Sequence, residues 1–152
     1  MGLTVGEFEA ILNDESKLIT GNIAWSEDED HSPSVEFRID LSSGPGFPLF
    51  IRGSCNAEAQ TLSFALIHRG AGRIYGLCLG KDHHNPDCEY VGETHKHYWS
   101  EVTRDKKAYA PPDITAPPTD PINAWRQFCA EARINHIGEL SPVPPAQRRL
   151  FP

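Results

Sequence analysis

Seven histidines occur in 152 residues, and four of them, His83, His84, His95 and His97, fall within a window of fifteen positions. The window also holds Asn85, Asp87, Cys88, Glu89 and Glu93, with Tyr98 and Trp99 just beyond it. Imidazole titrates at about pH 6.5, so two histidines can serve one reaction as base and acid. Cleavage of a phosphodiester at a ribose 2′-hydroxyl asks for such a pair: one group takes the hydroxyl proton, the other protonates the leaving oxygen. His95 and His97 are the acid and base candidates, with His84, Asn85 and Asp87 positioning. Arg52, Arg73 or Lys96 would then hold phosphate charge. The same cluster offers nitrogen and oxygen ligands to zinc through His84, Asp87, His95 and His97. Its spacing matches none of the established metal motifs, and no cofactor is expected. A plain structural role is equally physical: Asn85-Pro86-Asp87 is turn chemistry, and paired histidines can hydrogen-bond across a sheet.

His95 and His97 flank Lys96 at strand spacing, which puts both on one face of a strand over 94–99. Its neighbours must then be strands too. Val35, Phe37, Ile39 and Leu41 alternate with Glu36, Arg38 and Asp40, the pattern of a half-buried strand. Further strands are expected over 18–25, 47–54, 62–69 and 73–79, with Gly70-Ala71-Gly72 turning the last two into a hairpin. Thr4-x-x-Glu7 is a capping box that opens a helix over 4–14, with Phe8, Ile11 and Leu12 on one face. Nine of the thirteen prolines lie at or beyond Pro111, so 110–118 is expected to cross in extended form. Asp120-Pro121 starts a second helix ending near Ile134, with Trp125, Phe128, Cys129 and Ala132 facing inward. The expected fold is therefore α+β: a twisted antiparallel sheet of five or six strands with an N-terminal and a C-terminal helix packed on one face. One domain over 1–140 and a Pro-rich tail over 141–152 are expected.

Charge is uneven. Residues 1–41 carry ten acids and two bases, net −8, whereas 42–152 carry twelve bases and eleven acids. Glu27, Asp28, Glu29 and Asp30 form the densest run. It reads either as a solvated loop or as a surface that meets a basic protein partner. A pI near 5.4 disfavours a basic nucleic-acid-binding domain of the usual kind. Mean hydropathy is −0.44, and no apolar run approaches the roughly 18 residues of a spanning helix, so no membrane is expected. Met1-Gly2-Leu3-Thr4 lacks the features of a secretory signal, and Cys55, Cys78, Cys88 and Cys129 form no C-x-x-C pair. A cytoplasmic location with free thiols is expected, the cysteines serving as small core residues. His31, His68 and His136 stand alone and are expected in structural or solvent roles. Trp25, Trp99 and Trp125 are expected as anchors.

The stretch His83-His84-Asn85-Pro86-Asp87-Cys88, followed by His95-Lys96-His97-Tyr98-Trp99, resembles an uncharacterised prokaryotic and mobile-element domain family. Its pattern is H-x-N-P-D-G, a short gap, then H-x-H-x-Y. Phe50-Ile51-Arg52-Gly53 and Phe128-Cys129 extend the likeness over about 47–135. Cys88 stands where the family has glycine, and the pair Tyr98-Trp99 departs from its single tyrosine. The resemblance implies a sheet-plus-helices fold and a phage or mobile-element setting. Charge and resemblance together favour an acidic inhibitor or modulator of a nucleic-acid-processing or defence complex. A toxin-like, metal-independent ribonuclease acting on RNA is the alternative, and a zinc-stabilised binding module a third.

Overall fold

The computed structural model describes residues 4–28, 33–80, 94–98, 108–109 and 115–144. Helix α1 (Val5–Asn13) opens on the expected capping box. The Glu7 amide donates to Thr4 Oγ1 at 3.1 Å, and the Thr4 amide donates to Glu7 Oε1 at 3.3 Å. Phe8 and Ile11 are buried. Lys17, the first residue of strand β1 (Lys17–Thr20), closes the other end. It is wholly buried, and its Nζ donates to the carbonyl oxygens of Ile11 and Leu12, the latter at 2.9 Å. The Ile11 carbonyl also accepts from the amide of the C-cap Asp14 at 3.3 Å, and the helix dipole favours a cation at this end. Burial, with a smaller push from Arg133, lowers the Lys17 amine to about 8 against an opposing pull from Asp14.

The main sheet has seven strands in chain order: β2 (Ser26–Glu27), β3 (Val35–Leu41), β4 (Leu49–Asn56), β5 (Thr61–His68), β6 (Gly72–Leu79), β7 (Thr94–Tyr98) and β8 (Ala108–Tyr109). Every neighbouring pair is antiparallel. The five long strands lie where alternation and turn residues put them. Two-residue strands extend each edge, so the strand at 94 is not the last.

Helix α2 (Pro121–Ala132) starts as expected, with Asp120 accepting from the Asn123 amide at 3.3 Å. Trp125, Phe128, Cys129 and Ala132 are buried along it. It stops two residues earlier than expected, because Arg133 takes the left-handed conformation (φ 56°). Ile134 instead begins β9 (Ile134–Ile137), which pairs in parallel with β1 as a second, two-stranded sheet. The expected strand over 18–25 is thereby cut short: residues 17–20 pair with β9, Ile23 makes only an isolated bridge to Leu140, and the edge strand of the main sheet begins beyond it at Ser26. Paired hydrogen bonds between Leu18 and Ser42, at 2.8 and 3.0 Å, tie the small sheet to the end of β3. The chain after β9 runs back along residues 23–25. Ser141 donates its amide to the Ile23 carbonyl at 2.8 Å and accepts from Trp25 Nε1 at 3.0 Å.

Both helices bury their stripes in one core with Phe37, Leu49, Ile51, Phe64, Leu66, Tyr75 and Leu77. Trp125 meets Phe37 and Phe64 edge-on at centroid distances of 5.7 and 5.2 Å, and Phe128 lies 5.5 Å from Tyr75. Gly53 lets Phe37 lie flat here: a Cβ at that position would fall 2.1 Å from Phe37 Cε2. The helices thus cover one side of the sheet, as antiparallel sheets allow.

Lys17 yields a pH test. Its pKa is lower in the folded chain than the ordinary 10.5, so between about pH 8 and 10.5 the unfolded chain binds more protons. Stability must rise with pH across that window. Relative to Lys17→Met, the unfolding free energy of the wild type should climb by up to about 3 kcal/mol from neutral to alkaline pH. A flat or falling difference in urea titrations would refute the buried cation.

Candidate functional site

The side of the sheet opposite the helices holds the positions of three expected site residues, His95, His97 and Arg52. Antiparallel partners share a face, so strand register assigns each position to the covered or the open side. The row through position 96 runs Phe37, Gly53, Phe64, Leu77, Lys96 and belongs to the covered side. The next row runs Arg38, Arg52, Ala65, Gly76, His97, and a parallel one runs Glu36, Ser54, Ser63, Cys78, His95. By register His95 and His97 therefore occupy positions on the side away from the helices, in line with Arg38, Arg52, Ser54 and Ser63, while their immediate β6 partners Gly76 and Cys78 are buried. Lys96 sits at the other parity, so strand register separates it from the two histidines it was expected to assist.

A β-bulge brings a further arginine to this side. Between β5 and β6 the register shifts, so that Leu66 faces Tyr75 while Ile67 faces Arg73. Simple alternation would put Arg73 on the same side as the buried Tyr75. The extra residue puts it on the open side, with Arg52. Arg52 and Arg73 border a depression of about 410 Å³ whose other walls are Asp28, Ser34, Ser54, Ser63, Ala65 and Ile67. Serine and alanine make its floor shallow. At its margin Arg38 lies 3.9 Å over the Phe50 ring and Arg69 lies 5.4 Å from it, while Arg69 pairs with Asp40 at 2.6 Å. Among the described residues this side carries Arg38, Arg52, Arg69 and Arg73 against Asp28, Glu36 and Asp40.

The remaining expected site residues divide. His84, Asn85, Asp87, Glu29 and Asp30 lie outside the described residues, as do Cys88 and His31. Glu27 is exposed on the edge strand, whereas Asp28 is only 9% exposed and turns into the depression. Among the described residues no three His, Cys, Asp or Glu side chains gather as metal ligands. Two of the four zinc candidates lie outside those residues.

His68 Nδ1 accepts from the amides of Gly70 and Ala71, at 3.0 and 3.1 Å, and so caps the β5–β6 turn. His136 Nδ1 accepts from Trp125 Nε1 at 3.0 Å, which leaves its Nε2 to donate to the Gly21 carbonyl at 2.8 Å. A cleft of about 500 Å³ beside α2 is lined by Arg126, Cys129, His136 and Glu139 among apolar neighbours. Both nitrogens of its histidine are thus committed to the fold. Burial pushes the Cys129 thiol up to about 12 and raises that of Cys55, so neither is a nucleophile near neutral pH. Cys78 is buried as well. Sequence reasoning missed Ser54, Ser63 and Ala65. Their signal was present: small residues alternate there with Leu62, Phe64 and Leu66.

Arg52 pairs with Glu36 at 3.2 Å across an exposed surface. Such pairs contribute ~0–1 kcal/mol. Arg52→Gln should therefore change the unfolding free energy by less than about 0.5 kcal/mol in urea titration. A loss several times larger would mean that this arginine is a structural brace and not a group available to a ligand.

Among the described residues no helix is long and apolar enough to cross a membrane. No curated protein and no solved structure matches the chain. A family model does match, over residues 3–134, so the likeness takes in α1 and the acidic quarter as well as the histidine window. The chain belongs to that family, a family of unknown function designated DUF6978.

Proposed function

We propose that the open side of the sheet holds a phosphodiester backbone and that the protein is a small histidine-dependent ribonuclease. The observation behind this reading is the register that sets His95 and His97 in the same cross-sheet rows as Arg52 and its serine neighbours. In the reaction, one histidine removes the ribose 2′-hydroxyl proton and the 2′-oxygen attacks phosphorus. The other histidine gives a proton to the departing 5′-oxygen. The products are a 2′,3′-cyclic phosphate and a 5′-hydroxyl, with no net change in protons. Arg73, on the strand next to β7, stabilises the charge that builds on the phosphoryl oxygens, and Arg52, three strand steps from His97, holds a neighbouring phosphate. Loss of both histidines in His95→Ala/His97→Ala should lower RNA cleavage at least about 100-fold while the thermal transition stays in place. A folded double variant that cleaves as fast as the wild type removes the reading.

A second reading rests on the acidic quarter. Glu7, Glu9, Glu15, Glu27 and Asp40 are exposed, while Lys17, one of the two bases there, is fully buried. The buried Lys17 and the buried Asp28 offset each other, so the charge shown to solvent stays as negative as composition implies. This supports a role as an inhibitor or modulator that docks onto the basic surface of a nucleic-acid-processing or defence complex, in the phage or mobile-element setting the sequence resembles. Glu27→Lys/Glu29→Lys/Asp30→Lys should then lose a basic partner captured at low salt, and a partner set unchanged by the three reversals overturns that interface.

A further inference from the structure

The depression bordered by Arg52 and Arg73 is graded from one end to the other. Register orders its walls in rows along β4 and β5. Ile67 and Arg73 share one row, Arg52 and Ala65 the next, and Ser54 and Ser63 the third. Beyond the serines stands Asp28, whose amide donates to the Ser34 carbonyl at 2.9 Å just ahead of β3. Both arginines thus lie toward one end, and a carboxylate with three serine hydroxyls lies toward the other. Ser34 is four residues from Arg38, the β3 partner of Arg52. At ~3.3 Å per residue, the Asp28 end stands on the order of 13 Å from the Arg52 row along the strand.

A lone phosphate would meet only the arginine end. The volume of about 410 Å³ is that of a small-molecule site, for which ~300–1,000 Å³ is usual. Charge favours the same conclusion. Arg52 and Arg73 are balanced by Asp28 and by Glu36, which pairs with Arg52 at 3.2 Å. A bare anion therefore gains little from the net potential, and further contacts must add to its binding. Asp28 is only 9% exposed, and a carboxylate sunk in a wall is stabilised by donors. A carboxylate has about four acceptor directions and a guanidinium five N–H donors, so one hydrogen-bonded neighbour saturates neither.

We infer that the depression binds a phosphorylated sugar, with the phosphate between Arg52 and Arg73 and the sugar hydroxyls on Ser54, Ser63 and Asp28. A guanidinium takes two phosphate oxygens at once, and a carboxylate accepts from a sugar hydroxyl. Neither histidine position takes part, so the site lies beyond the ribonuclease reading. A free sugar phosphate and the ribose phosphate of a nucleotide share this chemistry.

The test is calorimetric titration of the full chain with ribose 5-phosphate, inorganic phosphate and ribose. Ribose 5-phosphate should bind at least about tenfold more tightly than either part alone. Arg52→Gln should weaken it at least about tenfold. Asp28→Asn should cut its advantage over inorganic phosphate at least about fivefold, because the hydroxyls lose a charged acceptor. If Asp28→Asn fails to fold, Ser54→Ala/Ser63→Ala supplies the second reading, with a fall of the same size. Equal binding of ribose 5-phosphate and inorganic phosphate overturns the site. So do binding unchanged in Arg52→Gln, an advantage unchanged in a folded Asp28→Asn, and no binding of either phosphate. Adenosine 5′-monophosphate, titrated alongside, separates the sources: tighter Arg52-dependent binding than ribose 5-phosphate assigns the site to a nucleotide, and weaker binding to a free sugar phosphate. Histidine-dependent cleavage of RNA stands or falls in its own assay.

Discussion

Trp125 is held edge-on between Phe37 and Phe64, and this contact decides which side of the sheet is inside. Because a strand alternates with a period of two, covering Phe37, Phe64 and Leu77 forces every intervening position of β3 to β6 to the other side. Register then carries that choice outward, strand by strand, to β7. A slip of one residue would exchange His95 and His97 with Lys96. The candidate site thus depends on an aromatic contact on the opposite side of the sheet. Gly53 is part of that dependence, since any side chain there would lift Phe37 out of the contact.

Two local irregularities complete the arrangement. The shift between Leu66 and Ile67 turns Arg73 to the open side without disturbing the buried Tyr75, Leu77 and Leu79. Bulges commonly re-aim a side chain in this way. At the other end, Lys17 satisfies the last carbonyls of α1 from the first residue of β1, so helix and strand are locked at a short turn. β9 then pairs with β1 and brings the C-terminal part of the described chain back against its beginning. Trp125 also donates to His136 on β9. The helix that sets the sheet's inside is itself fixed to the small parallel sheet.

The features legible in the sequence were those written in local periodicity. Val35 to Leu41 alternates cleanly, Gly70-Ala71-Gly72 turns a hairpin, and the inward face of α2 follows helical spacing. Thr4 and Glu7 form the cap that their spacing implies. What stayed hidden depends on partners far apart in the chain. Nothing local in Lys17–Thr20 announces a parallel partner at 134–137, and Ile134 suits a helix end as well as a strand start. A buried lysine looks like any surface lysine until the carbonyls of Ile11 and Leu12 are placed over it. The one-face placement of His95 and His97 was legible, because it needs only strand spacing. That Arg52 shares the row of His97 was not, because it needs the register of three strand pairs in succession.

The acidity of the chain and the proposal that the arginine-bearing side holds an anion are compatible because the sheet stands between that side and much of the acidity. Glu7 and Glu9 are exposed on α1, and α1 packs on the covered side through Phe8 and Ile11. A packed layer is ~10 Å thick, and the Debye length at physiological salt is ~8 Å. Charges on α1 are therefore largely screened from the open side. The carboxylates that do share that side are drawn into pairs or burial: Glu36 meets Arg52, Asp40 meets Arg69, and Asp28 is sunk in the depression wall. The chain's net charge of −7 is consequently a poor guide to the potential a ligand meets. What a phosphate would meet above Ala65 is set first by Arg52, one strand step away, and only then by the histidine positions two steps away on the other side.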